Sequence, residues 1–249
     1  MIDIALEADE RIDDLQLSGL YIIQRPSLFC FGMDSVLLSD FVSADKKERV
    51  CDLCSGNGVI PLLLYGKGKG ADITGIELQK DCFDLAERSL LLNEIKDKIK
   101  FLNSDIRQPY AFKKGEFDVV TCNPPYMKVG SGKTGNITHK AIARHEITCK
   151  LEDVFFAASY LLKYGGRFYM VHRPNRLADI FRCADKYETE PKRIQFVCTD
   201  VNKAPSLCLM EFVKKGKPNL VTEPNIIVYN DKGDYTEQFK KIYYGGTEK

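Results

Sequence analysis

One unit, residues 49–64, does most to limit the folds open to this chain: a strand-like run (RVCDL), the turn Cys54-Ser55-Gly56-Asn57-Gly58, and an apolar helix-like run beginning VIPLLL. Gly56 and Gly58 allow the backbone to come close to a ligand at the carboxyl end of the strand, where open α/β sheets bind their cofactors. About 19 residues beyond Gly58 a second strand, 71–77, ends in Glu77, a spacing that suits a carboxylate accepting both hydroxyls of a ribose. A dinucleotide fingerprint requires a further glycine three positions after Gly58, to seat a helix N-terminus on pyrophosphate. Pro61 stands there instead, so the turn is read as a nucleoside site without phosphate to hold.

The pattern continues as strand and helix in alternation. Residues 81–93 carry Cys82, Leu85, Ala86, Ser89 and Leu90 at near-helical spacing, and 98–102 form a third strand followed by Asn103-Ser104-Asp105. Asp105 is either half of a turn-forming Asn/Asp pair or an acceptor for an adenine amine. A fourth strand, 117–122, runs into Asn123-Pro124-Pro125-Tyr126. Residues before proline are pushed into extended conformations, and the rings fix φ at Pro124 and Pro125, so this corner is stiff. Neither proline has an N–H. The backbone therefore offers carbonyl acceptors without donors, Asn123 can add its own carbonyl, and Tyr126 can stack on a planar base. That combination suits an exocyclic amine. Strands joined by helical crossovers predict a parallel arrangement.

Outside this core, residues 1–18 carry no assignable chemistry and read as a starting cap, and 19–25 form a short strand. Asp34 or Ser35 is expected to cap a helix bearing Val36, Leu37, Leu38 and Phe41. Later elements, helices at 151–163 and 175–187 and strands at 167–172, 193–198 and 206–214, read as scaffold; 226–229 and the aromatic 235–244 close the chain. Residues 127–150 form a glycine-rich stretch in which Lys128, Lys133, Lys140 and Arg144 outnumber Glu146, and collectively they suit contact with nucleic-acid phosphates. His139 and His145 lack companions at metal-ligand spacing, so no metal is expected.

A chain of 249 residues with 44% hydrophobic and 29% charged residues can bury one sizeable core. The net charge of +1 requires any nucleic-acid partner to meet a local basic surface. Nine irregularly spaced cysteines match neither a zinc site nor a disulfide framework, which points to reduced thiols in the cytoplasm, and no run is long and apolar enough to span a membrane.

Taken together, Asp52 to Gly58, Glu77, Asp105 and Asn123-Pro124-Pro125-Tyr126 resemble the amino-methylating class I S-adenosylmethionine-dependent methyltransferases. Residues 31–38 (FGMDSVLL), 143–146 (ARHE) and 242–245 (IYYG) extend the likeness to the bacterial tRNA(Val) adenine N6-methyltransferases over nearly the whole chain. The resemblance implies a Rossmann-like α/β fold, a mostly parallel seven-stranded twisted sheet flanked by helices, at residues 33–215. Residues 1–32 would be a cofactor-closing cap and 216–249 an extension on the same domain. It implies methylation of adenine 37 beside the anticodon, with Phe31, Asp34, Asp52, Cys54, Gly56, Gly58, Glu77, Asp105 and Asn123 holding S-adenosyl-L-methionine. Asn123, Pro124, Pro125 and Tyr126 would act on a flipped tRNA adenine. The family usually has glycine where this chain has Cys54. The tetrapeptide is equally compatible with a release-factor glutamine N5-methyltransferase or an enzyme of rRNA or DNA adenine; a nicotinamide dehydrogenase and a non-catalytic RNA-binding module are the readings from other classes.

Overall fold

The computed structural model describes residues 4–28, 30–125 and 149–244. Its frame is an eight-stranded sheet, one strand more than the resemblance implies. In chain order the described elements are β1 (Arg11–Asp14), β2 (Tyr21–Gln24), α1 (Met33–Phe41), β3 (Arg49–Leu53), α2 (Val59–Gly66), β4 (Asp72–Glu77), α3 (Lys80–Leu92), β5 (Ile99–Asn103), β6 (Phe117–Cys122), α4 (Leu151–Leu161), β7 (Leu162–His172), α5 (Leu177–Lys186), β8 (Thr189–Cys198), β9 (Leu207–Lys214), β10 (Val221–Ile227) and α6 (Glu237–Tyr244). The strands lie in the order β10-β8-β9-β7-β6-β3-β4-β5, with β9 alone antiparallel to its neighbours. The added strand is β10. Pro224 and a register shift between Glu223 and Ile226 mark it as an edge strand, where a missing N–H costs no ladder bond.

Both faces of the sheet are covered, which explains the near-continuous apolar runs of its strands. Val50, Val119, Tyr169, Val171 and Leu209 meet α1, α2 and α6 on one face. Cys51, Val120, Cys122, Phe168, Met170 and Phe212 meet α4 and α5 on the other. The period-two alternation assigns each residue its side.

Residues 4–18 contribute more than a cap. β1 pairs antiparallel with β2, and Ile23 of β2 packs on Leu85 and Leu92 of α3. Glu10 ties the hairpin down, taking Arg25 at 2.7 Å and Arg88 of α3 at 2.8 Å. The start of α1 also differs from expectation. Its N-cap is Gly32, without a side-chain cap, because Asp34 and Ser35 already lie within the first turn.

Candidate active site

Parallel register builds the site. Leu53 of β3 pairs with Ile76 of β4 and with Cys122 of β6, so the residues that follow, Cys54, Glu77 and Asn123, leave the sheet level with one another at its carboxyl edge. Glu77 and Asn123 stand two strand spacings apart, about 10 Å, with the glycine turn between them.

The turn is braced from below. Asp52 is fully buried, and its two carboxylate oxygens accept from Ser55 Oγ and Thr121 Oγ1, each at 2.6 Å. Burial pushes its pKa up to about 7; the two hydroxyl bonds pull the other way and the negative charge of Glu77 adds to the rise. The part Asp52 plays is therefore to clamp β3, β6 and the turn together, beneath the surface a ligand would touch. Thr121 and Ser55 are its partners, and nothing in their sequence positions announced them.

Cys54 and Gly56 both take left-handed conformations, φ +55° and +57°, and Gly58 follows at +83°. Cysteine thus adopts the backbone geometry for which glycine is the usual residue, at a cost of roughly 1–2 kcal/mol. Its side chain turns toward Cys149, Sγ to Sγ 3.8 Å. The Cys122 thiol and burial hold the Cys54 thiol well above its ordinary range, so it stays protonated. A Cβ at Gly56 would meet nothing within 4 Å, whereas one at Gly58 would lie 2.5 Å from Phe101 Cζ. Gly56 therefore presents bare backbone to open space, and Gly58 packs against β5.

Glu77, 5% exposed, closes the turn from the side: Oε2 accepts the Gly56 N–H at 2.8 Å and Oε1 the Gln79 N–H at 2.7 Å. Carboxylate oxygens accept more than one bond each, so lone pairs remain for a diol. Asn57, in the same turn, has a buried amide nitrogen, Nδ2, with no hydrogen-bond partner. A buried donor of this kind costs about 1–3 kcal/mol unless an acceptor arrives. Open backbone at Gly56, a carboxylate with spare lone pairs and an orphaned donor fit a nucleoside with an amino-acid tail.

Asp105 follows β5 and is engaged by Arg107, whose Nε lies 2.9 Å from Oδ2; the ion pair holds its carboxyl below the usual range. Phe31 is half-buried against the α1 core, its N–H donating to Gln24 Oε1 at 3.0 Å, and Asp34 Oδ1 accepts the Ser35 N–H at 2.9 Å. Asn123 donates from Nδ2 to Ser35 Oγ at 3.1 Å. Ser35, read from sequence as a cap, is thus a buried neighbour of the Asn-Pro-Pro corner. Tyr126, Lys128, Lys133, Lys140 and Arg144 lie outside the described residues. Among the described residues no cluster of His, Cys, Asp or Glu is arranged to hold a metal ion, and no helix is long and apolar enough to cross a membrane.

Residues 20–182 match the methyltransferase small domain family. The chain is 25% identical over 194 residues to the tRNA1(Val) (adenine(37)-N6)-methyltransferase of Cytophaga hutchinsonii, covering 78% of this chain and 79% of the relative. It is 28% identical over 188 residues to the protein of the same name from Porphyromonas gingivalis, covering 73% of each. Among solved structures it superposes on a predicted O-methyltransferase from Agrobacterium tumefaciens with a TM-score of 0.70 at 21% identity, covering 87% of this chain and 98% of the other. It also superposes on the geranyl diphosphate C-methyltransferase of Streptomyces coelicolor, solved with S-adenosyl-L-homocysteine, with a TM-score of 0.53 at 14% identity, covering 73% and 79%.

Proposed function

The chain belongs to the methyltransferase small domain family, and from that premise we propose that it is an S-adenosyl-L-methionine-dependent enzyme that methylates the N6 amine of adenine in tRNA. The position is the one that its relatives' names give, adenine 37 of tRNA(Val), and nine cysteines without a disulfide pattern support a cytoplasmic setting. The observation that carries the reading is the shared register of Leu53, Ile76 and Cys122, which sets the Asn-Pro-Pro corner, the glycine turn and Glu77 along one edge.

When bound, S-adenosyl-L-methionine supplies a methyl group already activated on sulfonium sulfur. The protein's task is then alignment and exclusion of water. Glu77 would hold the ribose hydroxyls with the lone pairs left by Gly56 and Gln79, the open backbone at Gly56 would leave room for the amino-acid portion, and Asp105 would accept from the cofactor's adenine amine while keeping Arg107. Across the turn, Asn123 Oδ1 and the Pro124 carbonyl would accept the hydrogens of the target N6 and hold the amine with its lone pair free to react. Pro125 keeps the corner stiff, Tyr126 stacks on the extruded base for about 1–3 kcal/mol, and Lys128, Lys133, Lys140 and Arg144 meet flanking phosphates.

The test is direct. Unmodified total tRNA is incubated with the protein and methyl-labelled cofactor, and the labelled nucleotide is mapped by digestion and mass spectrometry. Label in N6-methyladenosine at position 37 of tRNA(Val) is the expected result. Label confined to a release-factor glutamine in a parallel incubation, with none in RNA, would overturn the assignment.

A further inference from the structure

The amino edge of the sheet, opposite the glycine turn, carries a feature that methyl transfer does not use. Where α4 ends and β7 begins, beside the ends of α5 and β9, lies an open cavity of about 540 Å³, within the roughly 300–1,000 Å³ of small-molecule sites. Leu162, which lines it, pairs with Phe117 at the start of β6. The length of β6, about 20 Å, therefore separates the cavity from Asn123. None of the residues assigned above to cofactor or target amine lines it.

Its charge is unbalanced. Lys114, Lys163, Lys214 and Lys215 line the cavity against one acid, Glu188. Lys215 is paired with Glu188 and Lys163 with Asp118, so both nearby carboxylates are engaged. Among the described residues no carboxylate pairs with Lys114 or Lys214. Lys214 is half-buried, and its Nζ donates to the carbonyls of Ser159 and Leu162 at the end of α4, at 2.5 and 2.7 Å. Those bonds use two of its three hydrogens and leave its charge in place. Burial and the neighbouring Lys114 ammonium hold its pKa below the usual lysine range, with Glu188 pulling the other way. Two ammonium groups placed so, one of them partly withdrawn from water, are stabilised by an anion between them. Aromatic surface adjoins them: Tyr164, 81% exposed, and Tyr187 line the same cavity, and Phe156 backs Tyr187 with ring centroids 6.2 Å apart. Cations beside an open ring are the means by which single nucleotides of an unpaired strand are held.

We propose that this cavity is a second nucleotide site, which takes the phosphate of a nucleoside monophosphate unit between Lys114 and Lys214 and its base against Tyr164. The chemistry is the same whether that unit is a free nucleotide or one residue of an RNA chain. It requires neither the cofactor nor the Asn-Pro-Pro corner.

The test uses the full chain saturated with S-adenosyl-L-homocysteine, to fill the cofactor site, and uridine 5′-monophosphate as the probe, because uracil has no exocyclic amine for the Asn-Pro-Pro corner. Calorimetric titration should show saturable binding that weakens about 10-fold in Lys114→Ala and in Lys214→Met, the worth of a hydrogen bond to a charged group. Lys100→Ala, on β5 far across the sheet, should change nothing. Tyr164→Ala should cost the probe about 5-fold or more, the worth of one stacked base, and leave ribose 5-phosphate within about 2-fold. Lys114 is exposed, so its variant still decides the matter if Lys214→Met loosens the end of α4. Absence of saturable binding, or binding that neither Lys114→Ala nor Tyr164→Ala weakens, overturns the proposal. Filter retention of unmodified tRNA then assigns the source: a loss of about 3-fold or more in the Lys114→Ala, Tyr164→Ala double variant places the unit in RNA, and unchanged retention with uridine monophosphate binding lost makes it a free nucleotide. None of these readouts involves methyl transfer, so this site and the proposed activity stand or fall separately.

Discussion

Replacing Gly58 with alanine isolates two penalties that the structure separates cleanly. The residue sits at φ +83°, and an added Cβ would lie 2.5 Å from Phe101 Cζ and 3.1 Å from Ala86 Cβ. Left-handed backbone costs an L-residue about 1–2 kcal/mol, and forcing a methyl into a packed site costs about 1–3 kcal/mol more. Gly58→Ala should therefore lose about 2–5 kcal/mol in a urea titration followed by circular dichroism, with the slope unchanged. Only the steric part can be relieved. Shortening the neighbour in Phe101→Leu removes the ring edge but cannot change φ, so the double variant should lose less than the sum of the single losses, by about 1–2 kcal/mol. Cofactor affinity should fall with the fold, since Gly58 donates to the Ser55 carbonyl at 2.9 Å and sets the shape of the turn. A loss below about 0.5 kcal/mol in Gly58→Ala, or strict additivity with Phe101→Leu, would show that the turn is not packed against β5 as described.

The remaining predictions concern the groups around that turn. Asp52 has its pKa raised to about 7 in the fold, mainly by burial, against about 3.9 unfolded. Its contribution favours the fold below the unfolded value and is lost as pH rises through 7, so Asp52→Asn should flatten the stability profile, removing about 2–3 kcal/mol of decline between pH 5 and pH 8. Parallel profiles for the two proteins would contradict this. Glu77→Ala should cost about 1.5–3 kcal/mol of cofactor binding by calorimetry and also destabilise the fold, because the Gly56 and Gln79 N–H groups lose their acceptor. Unchanged affinity would remove Glu77 from the cofactor site. Asn123→Ala should lower single-turnover rates roughly 10²–10³-fold while cofactor affinity barely moves; a loss of affinity matching that of Glu77→Ala would merge roles that the register keeps two strands apart.

The order of strand, turn and helix in residues 49–64, the acid at 77 and the double proline at 124–125 were legible in the sequence because each reflects a local rule: side-chain periodicity, glycine's freedom at positive φ, proline's lack of it. Those rules act within a few residues and survive in any context. β10 was not legible as part of the sheet, since its pairing with β8 depends on an edge left open by strands far away in the chain. Nor was the hairpin partnership of β1, which α3 holds in place through Arg88 and Glu10.

Within the candidate site the division is the same. Sequence alone marked Asp52, Glu77, Asp105 and Asn123 as polar groups for the cofactor, but could not say which neighbours each would have. Folding decided that. Register buried Asp52 beside Thr121, sixty-nine residues away, and brought Ser35 from a helix start onto Asn123, eighty-eight residues away in the chain, whereas Asp105 found Arg107 only two residues on. A side chain's chemistry belongs to its residue type, whereas its partner, its burial and therefore its protonation are properties of the neighbours that only the folded chain supplies.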